Sequence, residues 1–497
     1  MSRLVLGVAT VLVGAALVVI GIRHRPAELQ AGPNRFLSGD QPGIDAQNTP
    51  AVATDQRRPD VVAMGNRVDT PMFSCGVTVS SDGGRSWRPV RFSLPPDAPN
   101  CYWPDVAFDD QGHLLVLYTA TGGRYNLPVS VWLQRLDGEV AREPAVRVVG
   151  PLAFHAHLDA NGNRVLVTWV QAGPATVDKG VGFAPPHPLL LARSLDGGRS
   201  FLPATRVSEH TRRVALPTVL SGNGDEVIVG ALDLADDALD YEALHDGQGG
   251  PPVRGRWRVM AWSSADGGQT FRSPSTVADF DIPQRVIVNL GPAPGFARDP
   301  ARGRVYATWD AGLGGDRDVF LAWSDDSGAT WAPPTRVVRR QGTQHLPAVG
   351  VAPDGRVDLI FYDRSRDPED VMTEVTVASS WDRGRSFVTT TVSDRPFDSR
   401  IGFGSAQGIP VLGSHLAVSS RPGHSLVFWA DTRRGTLDTN RQDLALAVVT
   451  ARPNRAGWWP GVVIGAALLL AGAVRALLAV VDRPTKKGKR HLVIGTQ

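Results

Sequence analysis

SSDGGRSW, residues 80–87, returns with small changes as SLDGGRSF at 194, SADGGQTF at 264, SDDSGATW at 324 and SWDRGRSF at 380. An active site needs its residues once, so an octad met five times belongs to a building unit. The aspartates Asp82, Asp196, Asp266, Asp326 and Asp382 are spaced by 114, 70, 60 and 56 residues, and the wide first interval holds a decayed copy, LQRLDGEV, around Asp137. Such periods indicate stacked or radial units and not a single wound core. Within each octad the Asp and Ser/Thr oxygens suit the free N–H groups of a tight turn. The Gly permits positive φ, and the closing aromatic folds back over an apolar face.

Each octad sits in the same surroundings. PDVAFDDQGHLLVLYTA, VSVWLQRLDGE and AVRVV alternate apolar and polar residues between Asp-Gly turns, the pattern of short antiparallel strands, four to a unit. VAPDGRVDLIFYD at Val351, ARDPARGRVYATWD at Ala297 and AVSSRPGHSLVFWAD at Ala417 repeat it. The last of these, with LALAVV at Leu444, forms a seventh unit with three strands and no octad. PNRFLSG, residues 33–39, is available to complete it and so remove an exposed edge. The expected fold is an all-β, seven-bladed β-propeller, or six-bladed if the terminal units share a blade.

The ends differ from the rest. LVLGVATVLVGAALVVIGI, residues 4–22, and the run 458–481, which opens on Trp458 and Trp459 and is interrupted by Arg475, are apolar enough to predict one transmembrane helix at each end. Arg483, Lys486, Lys487, Lys489 and Arg490 then predict a cytoplasmic tail and an extracytoplasmic propeller. The expected division is residues 1–26 for the first span and its flank, 27–452 for the propeller, 453–482 for the second span and 483–497 for the basic tail. Cys75 and Cys101, the only two cysteines, fit a disulfide in an oxidising compartment. A net charge of +3 without a dense basic face excludes a nucleic-acid footprint.

The octad is similar to the Asp box, or BNR repeat, of the sialidase superfamily, and the resemblance covers about residues 48–450. It implies the propeller. For an enzyme of this family it further implies three arginines on a substrate carboxylate, a tyrosine nucleophile helped by a glutamate, and an aspartate acid/base. The family's early Phe/Tyr-Arg-Ile-Pro motif has no counterpart before Ser80, where the arginines are Arg57, Arg58 and Arg67. The catalytic residues are therefore not carried over. Asp boxes also occur in reelin-like, sortilin-like and photosystem-assembly proteins that hydrolyse nothing, so the fold alone does not assign chemistry.

With octads on the turns between third and fourth strands, the remaining loops gather on the opposite rim. Its candidate ligand-binding residues are Tyr102, Trp103, Asp105, His155, His157, Arg212, Arg285, His345, Arg400, His415 and the pairs Asp363/Arg364 and Asp431/Arg433. His155, His157 and Asp159 share a strand, but no further ligand motif marks a metal site. The acidic insertion 231–250 offers Asp233, Asp236, Asp237, Asp240 and Glu242 to Ca²⁺, although the spacing is not that of an EF-hand and a solvated lid accounts for it. No other cofactor is expected. The sequence thus points to a membrane-tethered propeller binding a glycan, another anionic ligand or an envelope protein. The rival readings are an exo-glycosidase of sialidase type and an assembly factor for a membrane complex.

Overall fold

The computed structural model describes residues 2–22, 27–38, 46–70, 72–123, 126–141, 143–178, 182–209, 211–236, 239–240, 244–245, 248–249, 256–281, 293–312, 316–402, 412–453 and 459–481. The chain divides into two units, residues 29–451 and the two ends together.

In the larger unit, seven antiparallel sheets follow one another along the chain. Blade 1 shows the pattern with Ala46–Thr54, Val62–Thr70, Ser74–Ser80 and Arg88–Pro89, each strand paired with the next. The first strands of blades 2 to 7 are Asn100–Phe108, Ala153–Asn161, Val214–Ser221, Gly295–Arg298, Gln344–Val351 and Ala417–Arg421. These strands touch one another in sequence and the last returns to the first, so they form the inner wall of a closed ring. Blade 7 is completed from the other end of the chain: Arg35 and Phe36 pair with Leu446 and Ala445. That is the closure anticipated from 33–39, and the blade count is seven.

Every octad lies between third and fourth strands. In the first, Asp82 Oδ1 accepts the N–H groups of Arg85 and Ser86 at 2.9 Å, while Ser80 Oγ accepts the Gly84 N–H at 2.8 Å. The Ser86 hydroxyl foremost, then its N–H and the Ser80 hydroxyl, hold the Asp82 carboxyl well below the usual range. The octads are also fasteners between blades. Trp87 meets Phe428 of blade 7 edge-on at 5.8 Å. A Cβ on Gly198 would stand 2.5 Å from Leu133 of blade 2, and one on Gly268 would stand 2.6 Å from Leu191 of blade 3. The glycine is required twice over, by positive φ and by the neighbouring blade. Gly198→Ala, at φ +86°, is therefore expected to cost about 2 kcal/mol through backbone strain and overpacking. Gly123→Ala, at φ +74° with nothing within 4 Å, should cost about half of that; urea denaturation of the two variants reads the difference.

Cys75 and Cys101 are joined, linking the third strand of blade 1 to the first of blade 2 with a Cα–Cα distance of 5.5 Å.

The ends form two helices, α1 (Ser2–Ile22) and α2 (Trp459–Val481). They run antiparallel through close glycine contacts, Gly7 beside Gly472 and Gly14 beside Gly465. Among the described residues no helix is long and apolar enough to cross a membrane. This overturns the expectation of a transmembrane helix at each end. With it go the membrane as a partner and the placement of the propeller outside a cell membrane with a cytoplasmic tail, since all of these were derived from the two spans. Residues 483–497 lie outside the described residues.

Candidate functional site

The face opposite the octads is built from the starts of first strands and the ends of second strands. A local device shapes it. Thr49, Trp103, His155, Leu216 and Leu346 all adopt positive φ, between 51° and 54°, at the start of an inner strand, and the ladder shifts register beside each of them. These are β-bulges, which re-aim side chains at the cost of about 1–2 kcal/mol for a non-glycine residue. Pro50, Pro104, Pro217 and Pro347 follow four of the five. With Pro294 of blade 5 they line an axial cavity of about 210 Å³, to which Asp105 and His157 contribute the charged and imidazole groups of blades 2 and 3.

Around Trp103 the bulges bring several polar groups together. Trp103 is 7% exposed, and its ring lies 4.7 Å from that of His155 and 5.6 Å from that of His415. Tyr102 receives a 2.8 Å hydrogen bond on its hydroxyl from Arg67 Nη1. Arg67, at the end of a second strand, also pairs with Asp69 at 2.7 Å, and Asn48 donates to the same carboxylate at 2.8 Å.

Burial and the charges of Arg213, His187, Arg67 and His415 push His155 down to about 3. Burial, then His157 and Arg67, takes His415 to about 3 as well, and burial with Arg213 takes His187 to about 4. All three imidazoles are therefore neutral at pH 7. The His155 Nδ1 is buried without a hydrogen-bond partner among the described residues. Burial foremost pushes the Tyr102 phenol up.

The other expected rim residues are placed as follows. Asp105 accepts the Leu158 N–H at 2.7 Å and stands 3.8 Å from His157 Nε2. The Val219 N–H donates to His157 Nδ1 at 3.3 Å, which leaves the ring proton on Nε2, facing Asp105. Arg212 is paired with Asp233 at 2.7 Å, and Arg433 is paired with Asp431. Asp363 is paired with Arg340 at 2.6 Å and not with its neighbour Arg364. Arg400 grips Asp398 on the surface, and His345 lies 5.3 Å from the ring of Tyr362. Arg285 lies outside the described residues.

Asp82, Asp196, Asp266, Asp326 and Asp382 are all on the far face. So the structure gathers Tyr102, Trp103, His155 and His415 in one bay, of which Trp103 and His415 also line the axial cavity together with Asp105 and His157, while the remainder are dispersed around the rim. Among the described residues no group of three His, Cys, Asp or Glu side chains is arranged to hold a metal. Of the acidic insertion, Asp237 and Glu242 lie outside the described residues.

Arg67, Asp69 and His187 were not singled out as binding residues by the sequence. A usable signal did exist: NTP at 48–50, YWP at 102–104, ALP at 215–217, PAP at 292–294 and HLP at 345–347 form a second repeat, with Pro50, Pro104, Pro294 and Pro347 preceding the next octad Asp or its decayed copy by 32, 33, 32 and 35 residues.

No protein-family model matches the chain, and no curated protein matches it at a significant level. Among solved structures it is similar to an ulvan lyase of polysaccharide lyase family PL25, with 13% identity, a TM-score of 0.50, and coverage of 84% of this chain and 97% of that one. It is also similar to the NanB sialidase of Streptococcus pneumoniae, at 12% identity and a TM-score of 0.42 over 84% of this chain and 70% of that one. A third is the α-L-arabinofuranosidase of Fusarium graminearum, at 12% identity and a TM-score of 0.43 over 84% and 98%. At these identities the likeness concerns the fold alone, and the seven-bladed propeller is read from the sheets of this chain itself.

Proposed function

We propose that this propeller binds an anionic glycan in the bay of Arg67, Tyr102, Trp103, His155, His187 and His415, with Trp103 as the platform for a sugar ring. The observation that carries the reading is the arrangement around Trp103: one sunken indole flanked by two neutral imidazoles, with a guanidinium on the adjoining tyrosine. Carbohydrate rings present an apolar face to an aromatic and hydroxyls to its rim. Neutral imidazoles serve those hydroxyls as both donors and acceptors, while Arg67 and Arg213 set a positive field for a carboxylate or sulfate.

The shifted pKa values support binding over acid–base catalysis by these groups. Efficient acid–base groups have pKa values near the working pH. His155 and His415 at about 3 and His187 at about 4 are weak bases, and Tyr102 is a weaker acid than a free tyrosine. Asp69 is already engaged by Arg67 and Asn48. Recognition without turnover is therefore favoured. The exo-glycosidase reading retains one supporting observation, a tyrosine hydroxyl oriented by an arginine.

Titration of the purified protein against a panel of uronate-, sialate- and sulfate-bearing oligosaccharides tests the proposal. Binding of acidic members is expected to weaken about thirtyfold in Trp103→Ala, the scale of a central aromatic anchor. Asp82→Ala, on the opposite face, should bind as the wild type does. Failure to bind any acidic glycan, or an unaffected Trp103→Ala, overturns the reading. Release of product, abolished by Tyr102→Phe, would replace it with the enzyme.

A further inference from the structure

The arginines of this face follow a rule with an exception. Arg67, Arg212, Arg317, Arg340 and Arg433 each meet a carboxylate at the end of a second strand, namely Asp69, Asp233, Asp310, Asp363 and Asp431, at 2.5–2.7 Å. Arg364 does not. Its Nε donates to Thr373 Oγ1 at 3.1 Å and its Nη1 to the Asp370 carbonyl at 3.2 Å. The nearest carboxylate, that of Asp370, is 3.8 Å away and is already held by the N–H and hydroxyl of Thr343 at 3.0 and 2.7 Å. Arg364 Nη2 makes no hydrogen bond among the described residues.

The neighbours of Arg364 add to its isolation. The side chain is 22% exposed, sunken but reachable. His345, on which Arg364 and Arg317 exert the main charge effects, is neutral, and its Nδ1 is buried without a partner among the described residues. Burial first, with the like charge of Arg317 adding to it, holds Arg364 below the usual arginine range, against the partial compensation of the Asp370, Asp367 and Asp398 carboxylates. A desolvated guanidinium whose one ion pair is long, 3.8 Å to Asp370, and without a hydrogen bond to that carboxylate is incompletely compensated, a deficit that an incoming anion would relieve.

We infer that Arg364, with Arg317 and His345 beside it, is a second anion subsite on blades 5 and 6, across the ring axis from the Trp103 bay. The ligand would then be a glycan carrying at least two anionic groups and long enough to span the face, and not a single terminal acidic sugar. This extension rests on the glycan reading of the bay, whereas the anion subsite itself does not. The anionic group is a sulfate ester or a carboxylate; a guanidinium fork accepts either.

The test has two parts. First, inorganic sulfate is titrated against the full-length protein with melting temperature as the readout. Sulfate should raise the melting temperature of the wild type and do so much less in Arg364→Gln, with Arg364→Lys intermediate because it keeps the charge and loses the fork. Equal shifts in wild type and Arg364→Gln overturn the subsite, whatever becomes of the glycan reading. Circular dichroism of both variants establishes that they fold, and Arg364→Lys serves alone if Arg364→Gln does not.

Second, a uronate tetrasaccharide with sulfate esters, its desulfated counterpart and a monouronate are compared. Arg364→Gln should weaken one or both tetrasaccharides about tenfold and leave the monouronate unchanged. Loss confined to the sulfated chain identifies a sulfate ester, and loss in both identifies the carboxylate. Equal weakening of all three ligands, or of none, refutes the two-anion ligand. If the wild type binds none of them, the glycan reading falls while the sulfate result still decides the subsite.

Discussion

Asp358→Ala is expected to cost the protein about 3–5 kcal/mol, which is a third or more of the stability of an ordinary domain. Arg356 and Asp358 are both 0% exposed and lie 2.8 Å apart where blade 6 meets blade 7. The Arg356 guanidinium also donates to the carbonyls of Arg421 and His424 and to Ser425 Oγ, at 2.9–3.0 Å. Asp358 in turn accepts the hydroxyls of Ser379 and Ser425 at 2.6 Å.

Removing the carboxylate leaves a fully buried cation with dipoles only, and strands two hydroxyl donors. The loss is due to the unpaired charge and not to the intrinsic worth of an ion pair. Arg356→Met combined with Asp358→Leu should therefore recover most of it. Blade 7 is the blade completed from both ends of the chain, so weakening its seam with blade 6 also loosens the closure. Urea denaturation of the single and double variants reads both effects. A single-variant loss below about 1 kcal/mol would show that the pair is solvated or dispensable.

The fold was legible because its signals are local. Each octad carries its own turn chemistry, and alternation along a strand needs no partner to be read. Even the closing strand was visible, since LALAVV at 444–449 had too few companions. What the octads do between blades was not legible. The contact of Gly198 with Leu133 joins residues 65 positions apart, and nothing in either segment names the other.

The bay was half legible for the same reason. Tyr102, Trp103, His155 and His415 stand out as polar or aromatic residues at loop ends, whereas Arg67 is an ordinary member of an alternating strand until the fold sets it against Tyr102. The tripeptide repeat at 48–50, 102–104, 215–217, 292–294 and 345–347 was overshadowed by the stronger octad, although it marks the bulges that build the site. Asp363 next to Arg364 illustrates a converse error. Adjacency in sequence suggested a pair, but neighbouring residues leave a strand end in different directions, and Asp363 meets Arg340 from the preceding connection instead. At the termini, hydropathy alone was taken for membrane passage, and among the described residues no helix is long and apolar enough for it.

The second large effect is a dependence on pH that belongs to the bay itself. His155 and His415 are held to about 3 in the folded protein, against about 6.5 in an unfolded chain. A depressed imidazole stays neutral in the fold while the unfolded chain takes up its proton. Its contribution to stability is thus complete above pH 6.5 and is lost as the pH falls towards 3, at up to about 1.4 kcal/mol per pH unit for each group. Asp159 and Asp310, raised chiefly by burial, act in the opposite sense at low pH, so the total acid response of the protein mixes both signs. Comparing the wild type with the double variant His155→Gln/His415→Gln removes that complication, because the carboxylates are common to both.

With half of the ideal slope surviving solvent relaxation, the wild type should lose about 3 kcal/mol more than the double variant between pH 6.5 and 4. Parallel curves would show that water reaches both rings and that the bay is wet. The same linkage connects the stability measurement to binding. An anion placed beside these imidazoles favours their charged forms, so an acidic glycan should raise their pKa values and be bound with proton uptake on the acid side of neutrality. A neutral glycan seated on Trp103 should show no such uptake. Calorimetry in buffers of different ionisation enthalpy separates these cases, and uptake that survives in the double variant would move the source of the protons away from His155 and His415.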